Sequence, residues 1–75
     1  MQGAELAELS IFLTVAQLQS FSKAAVERGV APSAISHAIR KLEQRVGVRL
    51  FHRTTRSVAL TEAGQRFLAD LKPAF

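Results

Sequence analysis

Between two stretches of helical periodicity the chain reads Gly29-Val30-Ala31-Pro32, and this short interruption limits the available folds more than any other feature. Glycine tolerates the left-handed conformation that ends a helix. Proline suits the first helical position, because the N–H it lacks would have had no partner there. One helix must therefore stop at Gly29 and the next start at Pro32, with Gly29, Val30 and Ala31 as the link. Three residues is the length expected of a helix-turn-helix.

The flanking periods fill in the rest. From Glu5 to about Leu18, Leu6, Leu9, Leu13 and Ala16 recur at three- and four-residue steps, with Phe12 and Val15 widening the stripe, which predicts an amphipathic scaffold helix. A short second helix is expected over Lys23 to Arg28, capped by Ser22. The third is expected from Pro32 to Val46, stopped by Gly47. Val48 to Arg53 and Ser57 to Leu60 then have the pattern of two short strands joined at Thr54, Thr55 and Arg56. Thr61 occupies an N-cap position, Glu62 puts negative charge at the favourable end of a helix dipole, and Phe67, Leu68, Leu71 and Phe75 continue a last helical stripe. The fold class expected is mainly α, a winged helix-turn-helix of three helices with a short β-hairpin wing, followed by a further helix.

Size and composition narrow the chemistry. A chain of 75 residues has room for one small core, and a two-lobed enzyme is excluded. The absence of cysteine removes disulfides, thiolate nucleophiles and cysteine-based zinc sites. No apolar run approaches the roughly 18 residues needed to span a bilayer, and the first residues lack the pattern of a signal peptide, so a cytoplasmic chain with no membrane partner is expected. His37 and His52 lie on different elements, no carboxylate pair is set for acid–base work and no glycine-rich phosphate loop occurs. Neither catalysis nor a metal or cofactor is expected.

Charge points elsewhere. Between His37 and Ser57 lie Arg40, Lys41, Arg45, Arg49, Arg53 and Arg56 against the single acid Glu43, a local excess of five positive charges (six minus one) on a chain whose formal net charge is +4. Such clustering suits a polyanion. At roughly 100° per residue, Ile35, Ala38, Ile39, Leu42 and Val46 fall on one side of the third helix, and Ser33, Ser36, His37, Arg40 and Gln44 on the other. The apolar side is what any small helical domain needs. The polar side is small at its N-terminal end, where a recognition helix must approach base edges closely and still offer hydrogen bonds. A merely solvated face is the plainer alternative for Ser33, Ser36 and His37. The adjoining basic hairpin favours recognition, because wing arginines reach the minor groove or nearby phosphates.

These residues also carry a family resemblance. Ser20-Phe21, Ala24-Ala25, Ser33-Ala34, Ser36, Ile39, Leu42-Glu43, Gly47, Leu50-Phe51, Arg53, Leu60-Thr61 and Ala63-Gly64 together resemble the N-terminal DNA-binding domain of the LysR-type transcriptional regulators. The resemblance spans essentially the whole chain. It implies a winged helix-turn-helix over residues 1–60 and the start of a linker and dimerisation helix over 61–75. It also implies a homodimer, a tetramer in the full-length protein, and a small-molecule effector bound only by a C-terminal domain not present here. Carried over by position, Pro32, Ser33, Ser36 and His37 face bases. Arg53 and Arg56 match the wing, and Thr54 and Ser57 match nearby positions that can bond phosphate. Beside them Arg40 is expected at the backbone, and the stripe Phe67, Leu68, Leu71 and Phe75 is expected both to pack onto the first helix and, in part, to form the dimer interface. Two positions depart from the pattern. Ala31 stands where the family often has Ser or Thr, which removes a helix cap worth about 1 kcal/mol. Arg28 stands where it usually has Leu, and its aliphatic stem is expected to cover the core while the guanidinium reaches solvent.

The function expected is sequence-specific binding of double-stranded DNA. A winged helix used only for protein contacts is the main alternative, and it should lack the basic recognition face and wing. RNA or membrane binding through the same charges lacks the aromatic platforms or strongly apolar face those partners require.

Overall fold

The computed structural model describes the backbone of residues 3–53 and 58–71 and the side chains of 6–53 and 58–71. The elements follow as α1 (Gly3–Leu18), α2 (Phe21–Arg28), α3 (Pro32–Val46), β1 (Phe51–Arg53), β2 (Val58–Leu60) and α4 (Glu62–Leu71). Helices α1, α2 and α3 pack on one another, and the two strands form an antiparallel hairpin with Phe51 opposite Leu60, His52 opposite Ala59 and Arg53 opposite Val58. This is the winged helix-turn-helix that the spacing predicts.

The punctuation residues act as expected where their effect is local. Gly29 adopts φ 69° and its N–H closes the end of α2, which a side chain would strain, and Gly47 ends α3 in the same region at φ 79°. Helix α3 begins at Pro32 and ends at Val46, as predicted. Ala31 is its N-cap and supplies no side-chain hydrogen bond. The second helix differs. It starts at Phe21, and its cap is Ser20, whose hydroxyl accepts the Lys23 N–H at 3.1 Å, rather than Ser22. The shift follows from the corner before it: Gln19 takes a left-handed φ of 53°, its N–H bonding Val15 O at 2.7 Å, and this leaves Ser20 extended and positioned to cap.

The core comprises Leu9, Phe12 and Val15 from α1, Ala24 and Ala25 from α2, Ile35, Ile39 and Leu42 from α3, then Leu50 and Phe51. Phe12 lies at its centre, its ring 5.3 Å from that of Phe51 and 5.2 Å from that of Phe67. Burying each large apolar side chain contributes roughly 1.5–3 kcal/mol. The α1 stripe is therefore rotated from the expected one. Leu6 is 49% exposed, Leu13 and Ala16 are half-buried, and Glu8 is buried beside Leu9. Val46, assigned to the inward side of α3, is exposed.

Two charged groups tie helices together. Buried Glu8 has its Oε1 3.2 Å from Arg45 Nη2 and its Oε2 accepting from the same nitrogen at 3.4 Å, which joins α1 to α3. Arg28 reaches the surface, as expected, and makes a further contact there. Its Nη1 donates to Ser10 Oγ at 3.0 Å and Thr14 Oγ1 at 3.5 Å, so the exposed side chain also clips α2 to α1 by hydrogen bonds.

The strands are shorter than expected, because Val48 to Leu50 lie outside the hairpin. Helix α4 is fixed to that segment. Thr61 Oγ1 accepts the Gly64 N–H at 2.9 Å and donates to Arg49 O at 2.6 Å, while Thr61 N–H donates to Leu50 O at 3.0 Å. One hydroxyl thus caps α4 and holds it against the chain entering the wing. Gly64 is buried at this crossing. Among the described residues no helix is long and apolar enough to cross a membrane.

Candidate nucleic-acid interface

Helix α3 is held by its apolar side, so its opposite face is fixed outward. Ile35 and Ile39 are fully buried and Leu42 nearly so, which leaves Pro32, Ser33, His37, Arg40 and Gln44 exposed and Ser36 half-buried along one edge. The first turn of this face carries no long side chain. The face lengthens toward its C-terminal end through Arg40, Lys41 and Gln44.

The described root of the wing lies beside this face. Arg53, at the end of β1, places its guanidinium carbon 4.8 Å from the centroid of the Phe21 ring, a cation–π geometry. Phe21 in turn meets Phe51 edge-on at 6.1 Å. The cation is thereby held by the core instead of sweeping through solvent. Thr54, Arg56 and Ser57, the other expected wing contacts, lie outside the described residues.

A residue that charge counting treats as a mere offset proves central to this geometry. Glu43 is buried, and its Oε2 accepts the N–H of Leu50 at 2.8 Å and of Phe51 at 3.3 Å, with Arg49 Nε 4.0 Å away. The carboxylate of α3 therefore fixes the chain where it enters β1. The sequence signal was present as a lone acid within a basic run, immediately after the buried Leu42. Arg40 and Gln44 from α3, Gly47 and Arg49 from the turn, and Arg53 from β1 line one open groove with Glu43 beneath them. Arg49 contributes to the charge of this region in the sequence, and only the fold brings it to the groove. Arg45 points to Glu8 on α1, so its charge serves the scaffold.

On α4, Phe67, Leu68 and Leu71 are half-buried and pack against the core, and Phe75 lies outside the described residues. Leu68 borders a shallow groove with Leu13, Ala16 and Gln17 of α1. The stripe is thus partly used within the chain, as expected of it.

Comparison with known proteins agrees with this arrangement. The family model described as "Bacterial regulatory helix-turn-helix protein, lysR family" matches residues 6–65. The uncharacterized HTH-type transcriptional regulator YcaN of Escherichia coli is 53% identical over 70 residues, covering 93% of this chain and 23% of that protein. The HTH-type transcriptional regulator PgrR of the same organism is 47% identical over 73 residues, covering 97% and 24%. Among solved structures, the oxidized form of Corynebacterium glutamicum OxyR superposes with TM-score 0.86 at 36% identity, over 92% of this chain and 21% of that one. The CbnR_DBD-DNA complex superposes with TM-score 0.86 at 32% identity, over 91% and 78%. The chain spans about a quarter of the length of the curated relatives it matches.

Proposed function

The chain belongs to the lysR family of bacterial regulatory helix-turn-helix proteins, and on that premise we propose that it binds double-stranded DNA sequence-specifically as the DNA-binding domain of a transcriptional regulator. The observation that carries this reading is the outward face of α3, small and polar at Ser33, Ser36 and His37, with a basic groove directly beside it. In the proposed mode α3 enters the major groove N-terminal end first. Pro32, Ser33, Ser36 and His37 meet base edges. Arg40 and Arg53 engage the backbone or the adjacent minor groove, with Thr54, Arg56 and Ser57 assigned to the same contacts from the sequence. The similar CbnR domain was solved as a DNA complex, which supports DNA binding by this chain.

No arginine lies in the first turn of α3, so the bidentate Arg–guanine contact is absent there and base discrimination per domain is modest. Pairing of two copies sets two half-sites in register and compensates. The division we propose is residues 1–60 as the DNA-binding unit and 61–75 as the start of the dimerisation helix, with Leu68, Leu71 and Phe75 contributing their remaining apolar surface. Phe67 contributes less, since its ring packs against Phe12. The longer protein is a cytoplasmic regulator, not an enzyme; it acts as a tetramer, and its effector site lies beyond this chain.

Selection of binding sites from a random duplex pool tests the assignment. The unaltered chain is expected to enrich a defined motif with two related half-sites. Replacing Ser36 and His37 together by alanine is expected to flatten that motif while non-specific affinity stays nearly intact. An unchanged motif would remove both residues from base recognition, and failure of the unaltered chain to enrich any duplex would leave a protein-interaction module as the better reading.

A further inference from the structure

The groove between α3 and the wing root coincides with a place that DNA geometry must fill. With α3 in the major groove and the wing at the adjacent minor groove, the sugar-phosphate strand separating the two grooves has to cross the gap between these elements. That gap is lined by Arg40, Gln44, Arg49 and Arg53 over the buried carboxylate of Glu43. We propose that it seats a single backbone phosphate and that Arg49 is its principal ligand. The proposal rests on the DNA-binding reading above and adds to it a residue and a position on the duplex.

Three features favour an anion here. The groove holds three arginines against one carboxylate, a formal excess of two positive charges (three minus one), and that carboxylate is turned into the fold by two backbone N–H groups. Arg49 stands with its side chain 71% exposed and its Nε 4.0 Å from Glu43 Oε2. Guanidinium carries five donors in a rigid fork, so with Nε turned to Glu43 the terminal nitrogens remain for a phosphate, whose oxygens match that fork. Finally, both walls are preset. Arg53 is held on the Phe21 ring, and Arg49 follows directly from a turn fixed by Gly47 N–H on Glu43 O at 2.8 Å and by the Thr61 hydroxyl on Arg49 O. The backbone that carries Arg49 is therefore already in place when the anion arrives.

The seat has a consequence for register. Glu43 is part of α3 and also holds the first residues of the wing. A phosphate bound by Arg49 beside it therefore fixes the strand relative to both reading elements at once.

The test compares the unaltered chain with Arg49→Ala and Arg49→Lys on a duplex recovered from the random pool, by salt titration and by phosphate-ethylation interference. Arg49→Ala is expected to reduce the log–log salt slope by about 0.9 for each half-site occupied, which narrows its affinity difference from the unaltered chain by about 3.5-fold per half-site between 50 and 200 mM salt. It should also abolish interference at one phosphate per half-site. Arg49→Lys should restore the slope while binding that phosphate more weakly, because charge is retained and the fork is lost. The exposure of Arg49 predicts unchanged helicity and melting in both variants. Unaltered slope and interference in Arg49→Ala, with the parent chain binding normally, overturn this proposal alone. A parent chain that binds no duplex overturns the DNA-binding reading and the proposal with it.

Discussion

Replacing Gly64 by alanine is expected to destabilise the chain by about 2–3 kcal/mol, although alanine is the better helix former by about 1 kcal/mol. The reason is a close approach of α4 to the segment entering the wing. A Cβ at Gly64 would run into Leu50 O and lie 3.0 Å from Leu50 C and 3.0 Å from Leu60 Cδ2. The nearest of these atoms is backbone, and it cannot rotate away. The same carbonyl accepts the Thr61 N–H, so relief requires α4 to withdraw and breaks the bond that starts it. In a domain of this size each kcal/mol shifts the melting temperature by about 4–8 °C, so thermal unfolding followed by circular dichroism should show a fall of roughly 10–20 °C. A fall of less than about 2 °C would mean that α4 does not press on Leu50 as described.

The second large effect is expected at Glu43. Glu43→Leu keeps the volume but leaves the N–H groups of Leu50 and Phe51 buried without their acceptor, at a cost of about 2–4 kcal/mol. Glu43→Gln retains one acceptor oxygen and should cost about 1 kcal/mol. The order, not only the size, carries the interpretation. Denaturation with urea resolves the two variants, and equal losses would show that burial alone, rather than acceptance of those two bonds, explains the position. Because the bonds join α3 to β1, the leucine variant should also bind DNA with a disordered wing even under conditions where it remains folded.

The sequence made the helix-turn-helix legible because its punctuation is local. Pro32 and Gly47 act through their own backbone preferences, and both ends of α3 fall where those residues place them. The outward face of α3 was legible for a related reason: a fifteen-residue helix with a single apolar side leaves no choice about what faces out. Helix α1 shows where this logic weakens. It packs against α2 and α3 and also meets Phe67 of α4, so apolar residues surround much of its circumference and the stripe does not reveal its centre. The cap of α2 lies two residues before the one the pattern predicts, because the left-handed corner at Gln19 carries no sequence signal.

Charges were legible in number but not in use. Counting gave an excess of five positive charges over the basic stretch. The fold then separates them by task. Arg45 reaches Glu8, thirty-seven residues away, much as Arg28, outside that stretch, reaches hydroxyls fourteen and eighteen residues away. Arg40, Arg49 and Arg53 converge on one groove instead. No periodicity could have joined Arg49 to that group, because it lies in the turn between two elements. Glu43, seven residues from its backbone donor at Leu50, subtracts from the charge on paper and organises the wing in space.

The central claim is that α3 reads bases in the major groove while the wing root lies at the minor groove beside it. Methylation interference on a selected duplex tests both halves in one measurement, since dimethyl sulfate marks guanine in the major groove and adenine in the minor groove. The account predicts that guanine methylation blocks binding at the centre of each half-site and adenine methylation only at its flank. Interference confined to the minor groove, or none at any base, would contradict it.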